Sequence, residues 1–344
     1  MSTRQAILVF AAVVVLLAAL ALVIRFGIIG SAFFNFSPSI SWAGEIKDID
    51  VSPSAANCLN NAPPKQSFSA RLSTQAPGTY YQGTFLQLSG SPTVNYISDG
   101  MDLGVNYDGR IRLEYDLWKK GFRIIELKFS SKTGWNPDNH PDEQWRGNGL
   151  ACTTEPLVKA LAFLESNGAW PSRPNDRFAM GSSNGAMMLA YAIDYFKSPS
   201  AKVNRALVQS PVVFDAYQQC KESPSLPFNQ FYLGDLCTNA EKSKDVLLQQ
   251  SIASKLDQNS CQNQTTPFNS FLIVGGKKDE VPAWYKDEFS RYVPTRASLC
   301  PARTAFWDAA ETYEGHAPIE SYYKLKGNVD PFVNYFVNGN ILLN

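Results

Sequence analysis

Residues 181–185 have the composition of a turn that could present a serine for nucleophilic attack. They read Gly-Ser-Ser-Asn-Gly, a G-x-S-x-G pattern with Ser183 at its centre. Apolar residues precede the pattern from Phe178 and helix-forming residues 186–190 follow it, so the sequence predicts a strand that turns sharply into a helix at the serine. Glycines two positions away on either side relieve the crowding that side chains would cause in such a turn. Ser183 is therefore the candidate nucleophile.

A serine of this kind needs a base, because its hydroxyl is a poor nucleophile at neutral pH unless an imidazole accepts the proton. The chain has two histidines, His140 and His316. His316 lies between a predicted last strand and a C-terminal helix predicted around residues 331–337, which favours it as the base. His140 lies in a polar loop between two prolines, which is typical of a solvated loop residue.

A third group should orient the imidazole and stabilise its positive charge. Asp279 follows the apolar run at residues 271–274, so it is expected at the carboxyl end of a predicted strand. Glu280 and Asp215 are alternatives, since Asp215 also follows a predicted strand. With Asp279 as the favoured acid, the groups occur in the chain order serine, aspartate, histidine, which is the order that one α/β fold uses.

The elements that must position these residues are indicated by apolar, β-rich runs that alternate with helical spacing. Residues 156–167 and 186–196 have the spacing of crossover helices. The alternation predicts one α/β domain with a mostly parallel sheet and helices on both faces. Residues 215–267 are rich in Gln, Ser, Asn, Cys and Lys and predict an insertion. The predicted strands are residues 80–88, 122–129, 178–180, 206–213, 271–274 and 304–307.

The N-terminal part of the chain, residues 1–30, predicts a membrane attachment. Residues 6–24 are nineteen consecutive apolar positions, and a helix of about 20 such residues crosses the hydrocarbon core of a bilayer. A retained single-pass anchor with the body extracellular or luminal is the favoured interpretation. Secretion after cleavage of a signal peptide is the alternative, because small residues at 30–32 offer a cleavage site. Residues 31–77 predict a linker and an irregular segment, and residues 78–344 the folded domain.

Cysteine usage agrees with export. An even number of cysteines behind an export signal predicts up to three disulfides, with six reduced thiols as the alternative. No CxxC motif and no Cys/His cluster occurs, and with two histidines there is little from which to build a zinc site, so no metal is expected. The six residues are Cys58, Cys152, Cys220, Cys237, Cys261 and Cys300.

Composition excludes two classes of protein. The chain is 44% hydrophobic and 18% charged, which excludes a disordered, highly charged chain. Its 31 basic residues balance 31 acidic ones, so the formal net charge is zero and the basic excess of a nucleic-acid-binding domain is absent.

From about residue 80 to residue 336 the sequence resembles the α/β-hydrolase superfamily. Residues 181–188 are similar to the serine turn of polyhydroxybutyrate depolymerases and feruloyl-esterase-like hydrolases, with Ala186 at the position of their second glycine. Residues 315–318 are similar to their histidine loop, without its usual tryptophan. The resemblance implies an eight-stranded sheet capped by the insertion, a Ser/Asp/His triad, activity on esters and no metal or organic cofactor.

The resemblance also implies two backbone N–H groups that stabilise the oxyanion formed during acyl transfer. One belongs to Asn184, which follows the nucleophile. The other lies in residues 88–92 and is the amide of Ser91, with Ser89 in place of the usual histidine.

These expectations converge on a serine hydrolase that attacks a small-molecule or polymeric ester through an acyl-enzyme. Two alternatives stay open. A binding or adhesion domain can keep this fold without catalysis, because fold does not fix function. A peptidase or an acyltransferase can use the same triad.

Overall fold

The computed structural model of the protein describes most of the chain after residue 39. All described residues belong to one compact unit, Ile40–Asn344. Within them no helix is long and apolar enough to cross a bilayer; the predicted anchor at residues 6–24 lies outside them. The described residues are 40–59, 66–88, 108–129, 135–136, 140–141, 147–194, 198–210, 215–222, 224–225, 229, 232–251, 270–276, 304–309 and 318–339.

A single eight-stranded sheet forms the centre of this unit. Its strands are β1 Trp42–Asp50, β2 Ser67–Ser73, β3 Gly83–Leu88, β4 Phe122–Phe129, β7 Arg177–Ser182, β8 Arg205–Gln209, β9 Ser270–Gly276 and β10 Thr304–Ala309. The strand order is β1-β2-β4-β3-β7-β8-β9-β10. Strand β2 runs antiparallel to both of its neighbours, and the other adjacent pairs are parallel. Two short segments, β5 Trp135–Asn136 and β6 His140–Pro141, pair with each other separately.

Helices cover both faces of the sheet. The described helices are α1 Asp108–Lys119, α2 Gly149–Ser166, α3 Asn184–Asp194, α4 Ala216–Glu222, α5 Asp235–Thr238, α6 Lys244–Gln249, α7 Pro318–Lys326 and α8 Asp330–Asn338. Helices α2 and α3 pack on one face together with buried residues of α4 to α6. Helices α1, α7 and α8 pack on the other face. Successive strand residues serve opposite faces, as Ile124 and Ile125 do, because side chains alternate along a strand.

Residues 42–73 correct the expectation of an irregular linker up to residue 77. They contain β1 and β2, so the folded body begins near Ile40. Strand β2 does carry a period-two signal in Phe68, Ala70 and Leu72. Strand β1 carries none; its register against β2 shifts twice, and none of its apolar side chains is fully buried. Pairing with a neighbouring strand, rather than its own pattern, orders β1.

Two disulfides fasten surface segments to this body. Cys58, in the segment between β1 and β2, is bonded to Cys152 in α2. Within the insertion, Cys220 of α4 is bonded to Cys237 of α5. The expectation of disulfides is therefore confirmed for two pairs, and the two remaining cysteines lie outside the described residues.

Candidate active site

The predicted nucleophile lies alone between a strand and a helix. Strand β7 ends at Ser182 and α3 begins at Asn184, so Ser183 forms the turn by itself, with φ of +54°. A positive φ is uncommon for a residue with a side chain and persists where surrounding contacts impose it. Here the backbone N–H of Ser183 donates to the carbonyl oxygen of Gln209 at 2.8 Å, and its own carbonyl accepts the N–H of Met187 at 3.1 Å.

Gly181 is required by close packing within this turn. A Cβ atom at residue 181 would lie 2.4 Å from the carbonyl oxygen of Gly185 and 2.8 Å from the Cα of Ala186. Both distances are shorter than van der Waals contact, so any side chain would push α3 away from β7. The first glycine of the pattern thus allows the helix to start directly over the strand.

The turn lies at the edge of the sheet where the parallel strands end. Leu88 pairs with Gly181 across β3 and β7, and Ser182 pairs with Gln209 across β7 and β8. Strand β9 is the next parallel strand, and its Val274 pairs with Gln209 of β8. Ligand crevices of open α/β sheets lie outside this carboxyl edge. Ser183 is therefore at the edge where such a crevice forms.

The other predicted site residues lie a few positions in sequence from the ends of described strands and helices. Ser91 is three residues beyond the end of β3, and Asp279 is three residues beyond the end of β9. His316 is two residues before the start of α7. Ser91, Asp279 and His316 themselves lie outside the described residues, as does the alternative acid Glu280.

The alternative acid Asp215 caps a helix. It is 8% exposed and precedes α4, where its Oδ1 accepts the backbone N–H of Gln218 at 3.1 Å. Its carbonyl oxygen also accepts the N–H of Gln219. This is the arrangement of a helix N-cap. The backbone of the alternative base, His140, pairs with Asn136 in the β5–β6 ladder.

The side chain of Asn184 is fixed by the insertion. It is 4% exposed, and its Oδ1 accepts a hydrogen bond of 2.5 Å from the hydroxyl of Tyr232. Tyr232 is fully buried, and burial raises the pKa of its hydroxyl well above the usual value. Sequence reasoning missed Tyr232, since the contact joins residues 48 positions apart.

A buried polar network connects the serine turn with the first turn of α7. The side chain of Gln209, whose carbonyl holds Ser183, accepts the N–H of Ile319 at 3.2 Å and donates to Glu320 at 3.1 Å. Glu320 in turn forms an ion pair with Arg110 of α1. The network thus fixes the start of the helix that follows His316. Sequence reasoning missed it as well, because nothing in the local pattern marks Gln209.

No metal site is found in the part of the chain that the structure describes, where no three His, Cys, Asp or Glu residues are grouped to bind an ion. A cavity of about 340 Å³, lined among others by Tyr81, Arg123 and Asp176, lies by the amino ends of β3, β4 and β7. It is therefore at the edge opposite Ser183.

Comparison with known proteins settles the fold. No protein-family model matches the sequence, and no curated protein matches it either. Solved structures do match. A mutant of puromycin hydrolase in complex with PGG is 13% identical with a TM-score of 0.54, and the match covers 88% of this chain and 40% of that one. Oligopeptidase B from Leishmania major is 15% identical with a TM-score of 0.53, with 88% and 38% covered. The chain has the α/β-hydrolase fold.

This α/β-hydrolase domain spans about 40% of the length of those two structures. Its eight-stranded, mostly parallel sheet with helices on both faces agrees with the sequence-based prediction. In the α/β-hydrolase fold, the nucleophile occupies a strained strand-to-helix turn that exposes its hydroxyl at the top of the sheet. The turn at Ser183 has that position and that backbone conformation.

Proposed function

We propose that the protein is a serine hydrolase that cleaves carboxylic esters through an acyl-enzyme on Ser183. The observation that carries this proposal is the turn at Ser183, which has a positive φ at the carboxyl edge of an α/β-hydrolase sheet. A strained serine at this place is what nucleophilic attack requires in the fold. The close approach of Gly181 to the start of α3 supports the same interpretation.

In the proposed mechanism, Ser183 Oγ attacks the ester carbonyl carbon while His316 accepts its proton. Asp279 orients His316 and stabilises the imidazolium. The tetrahedral intermediate collapses when the C–O bond to the alcohol breaks and His316 returns the proton to the departing oxygen. A water molecule then attacks the acyl-enzyme and gives a proton to His316. The bond between the acyl carbon and Ser183 Oγ breaks, His316 returns the proton to Oγ, and the carboxylic acid leaves.

Negative charge develops on the carbonyl oxygen of the ester during attack. We propose that the backbone N–H groups of Asn184 and Ser91 stabilise it by donating hydrogen bonds. Asn184 is the first residue of α3, and the first N–H groups of a helix have no partner inside the helix. The aligned peptide dipoles also favour negative charge at this end. Removing one such donor typically costs about 10²- to 10³-fold in rate.

The test is labelling of the full-length, detergent-solubilised protein with a fluorophosphonate probe. Ser183→Ala should abolish labelling and His316→Ala should reduce it strongly, whereas the matched control His140→Ala should label as the wild type does. Asp279→Asn compared with Asp215→Asn separates the two candidate acids. Absence of labelling in a folded wild-type protein would contradict the proposal and favour a binding or adhesion domain.

Peptide hydrolysis is the second candidate. One of the similar structures named above is an oligopeptidase by name, although more than half of that chain has no counterpart here. Matched ester and amide substrates with the same acyl group distinguish the two reactions. An added acceptor alcohol reveals an acyltransferase, because the acyl group then appears on the alcohol rather than in the free acid.

For location, we propose that residues 6–24 anchor the enzyme in a membrane with the hydrolase domain on the extracellular or luminal side. The apolar length of the segment supports an anchor. The two disulfides support an oxidising compartment. The expected partners are this membrane and an ester substrate, with no nucleic acid. Carbonate extraction should leave the protein in the membrane pellet, whereas a mature N-terminus near residue 31 would indicate cleavage and secretion instead.

A further inference from the structure

The insertion between β8 and β9 contacts the residue that follows the proposed nucleophile. Tyr232 is fully buried and donates its hydroxyl hydrogen to Oδ1 of Asn184, which is 4% exposed. Tyr232 belongs to the cluster of apolar side chains that covers one face of the sheet. A hydrogen bond in such surroundings is electrostatically stronger than one in water and fixes the orientation of both groups.

This contact bears on the N–H groups at the start of α3. Asn184 is the first residue of α3, so its backbone N–H is one of the donors at the helix start that have no partner inside the helix. In this structure the side-chain oxygen of the same residue accepts a hydrogen bond from the insertion. This hydrogen bond fixes the side chain of the residue that carries the N–H group.

We propose that Tyr232 is a positioning residue that, through the side chain of Asn184, orients the Asn184 backbone N–H toward the oxyanion. The inference rests on the proposed function, since it concerns the same serine turn. It assigns to the insertion a role in the chemical step in addition to any role as a cap. Tyr232 does not itself touch the reacting atoms.

Two further observations support this role. A tyrosine hydroxyl, with an ordinary pKa of about 10, is protonated and able to donate throughout the range in which a histidine base works, and burial moves the pKa of Tyr232 further in the same direction. The disulfide between Cys220 and Cys237 closes the segment that contains Tyr232, and both sulfur-bearing residues are 1% exposed. The tyrosine that donates the hydrogen bond therefore lies in a segment whose ends are joined by a disulfide.

The decisive variant is Tyr232→Phe, which removes the hydroxyl and keeps the ring. Its matched control is Tyr217→Phe, a tyrosine of the same insertion whose hydroxyl donates to Glu241 at the surface. The readout is the second-order rate constant of fluorophosphonate labelling of the full-length protein, together with kcat and KM for a p-nitrophenyl ester. We expect Tyr232→Phe to lower the labelling rate and kcat about tenfold with KM changed less than twofold, and Tyr217→Phe to change neither.

A double-mutant cycle with Asn184→Ala tests whether Tyr232 acts through Asn184. Alanine keeps the backbone N–H and removes the accepting oxygen, so Asn184→Ala should lower the labelling rate as Tyr232→Phe does. In the Asn184→Ala background, Tyr232→Phe should then have no further effect. A purely structural tyrosine would lower the melting temperature in both backgrounds and leave kcat unchanged.

The outcomes separate this inference from the proposed function. A wild-type protein that does not label overturns both. A wild-type protein that labels, with Tyr232→Phe within twofold of it, overturns the inference alone. If Tyr232→Phe does not fold, the Asn184→Ala protein decides, because an unchanged labelling rate in it would equally overturn the inference.

Discussion

Arg110 of α1 and Glu320 of α7 form an ion pair although their side chains are only 4% and 3% exposed. The carboxylate of Glu320 also accepts from Gln209 at 3.1 Å. A buried pair of this kind contributes little net stability against an apolar replacement, but removing one partner leaves an uncompensated charge.

Glu320→Ala is therefore expected to lower the free energy of unfolding by about 3–5 kcal/mol, because Arg110 loses the carboxylate with which it pairs at a buried position. The double variant Arg110→Met/Glu320→Leu should recover most of that loss. Urea denaturation measures both. Asp116→Ala, which breaks the more exposed pair between Arg112 and Asp116, is the control and should cost less than about 1 kcal/mol. A single variant as stable as the double variant would contradict the prediction.

Gly181→Ala is expected to damage the serine turn. The added Cβ would lie 2.4 Å from the carbonyl oxygen of Gly185, so α3 must shift. Overpacking of this kind typically costs about 1–3 kcal/mol, and the shift should lower the fluorophosphonate labelling rate more than tenfold. Gly44→Ala in β1 is the control, because a Cβ atom added there would meet nothing within 4 Å and the backbone is ordinary. Equal labelling in the two variants would show that the close approach is unimportant.

Much of this architecture could be predicted from the sequence because the information is local. The apolar run at Phe122–Phe129 and the glycines around Ser183 each indicate structure within a few residues. The contacts of Tyr232 with Asn184 and of Gln209 with Glu320 join residues 48 and 111 positions apart, and no local pattern encodes them. Strand β1 was missed for a similar reason, since its order comes from pairing with β2.

Glu114 of α1 should make the stability of the protein depend on pH. Its side chain is fully buried, and burial, followed by the nearby carboxylate of Glu126, raises the pKa of Glu114 well above the usual value. Arg110 and Arg71 oppose this shift without cancelling it. The folded state thus keeps a proton that the unfolded state releases above about pH 4.3. The free energy of unfolding should therefore fall as the pH rises, by up to about 1.4 kcal/mol per pH unit until Glu114 ionises in the folded state.

Glu114→Gln tests this linkage, since the amide keeps the size of the side chain and releases no proton. The variant should lose this part of the pH dependence. Its stability relative to that of the wild type should therefore be greater at neutral pH than at pH 4. Chemical denaturation at several pH values provides the measurement. Glu222→Gln, at an exposed position, should retain the wild-type profile. Parallel profiles for the wild type and Glu114→Gln would refute the assignment.

The two disulfides should have separable effects on stability. The bond between Cys58 and Cys152 closes a loop with a sequence separation of 94, and the bond between Cys220 and Cys237 one of 17. Loop-closure entropy predicts contributions of about 5 and about 3 kcal/mol respectively. Replacing the first pair by alanine should therefore destabilise the protein more than replacing the second pair, as measured by denaturation under non-reducing conditions.

Their effects on the serine turn should follow the opposite order. Only the loop closed by Cys220 and Cys237 contains Tyr232, which donates to the residue after Ser183. Cys220→Ala/Cys237→Ala should thus lower the fluorophosphonate labelling rate of the folded protein several-fold, because the donor is held less firmly. Cys58→Ala/Cys152→Ala should leave the rate unchanged at temperatures where that variant stays folded. If labelling instead falls in proportion to lost stability in both variants, the insertion acts on the site only through the overall stability of the fold.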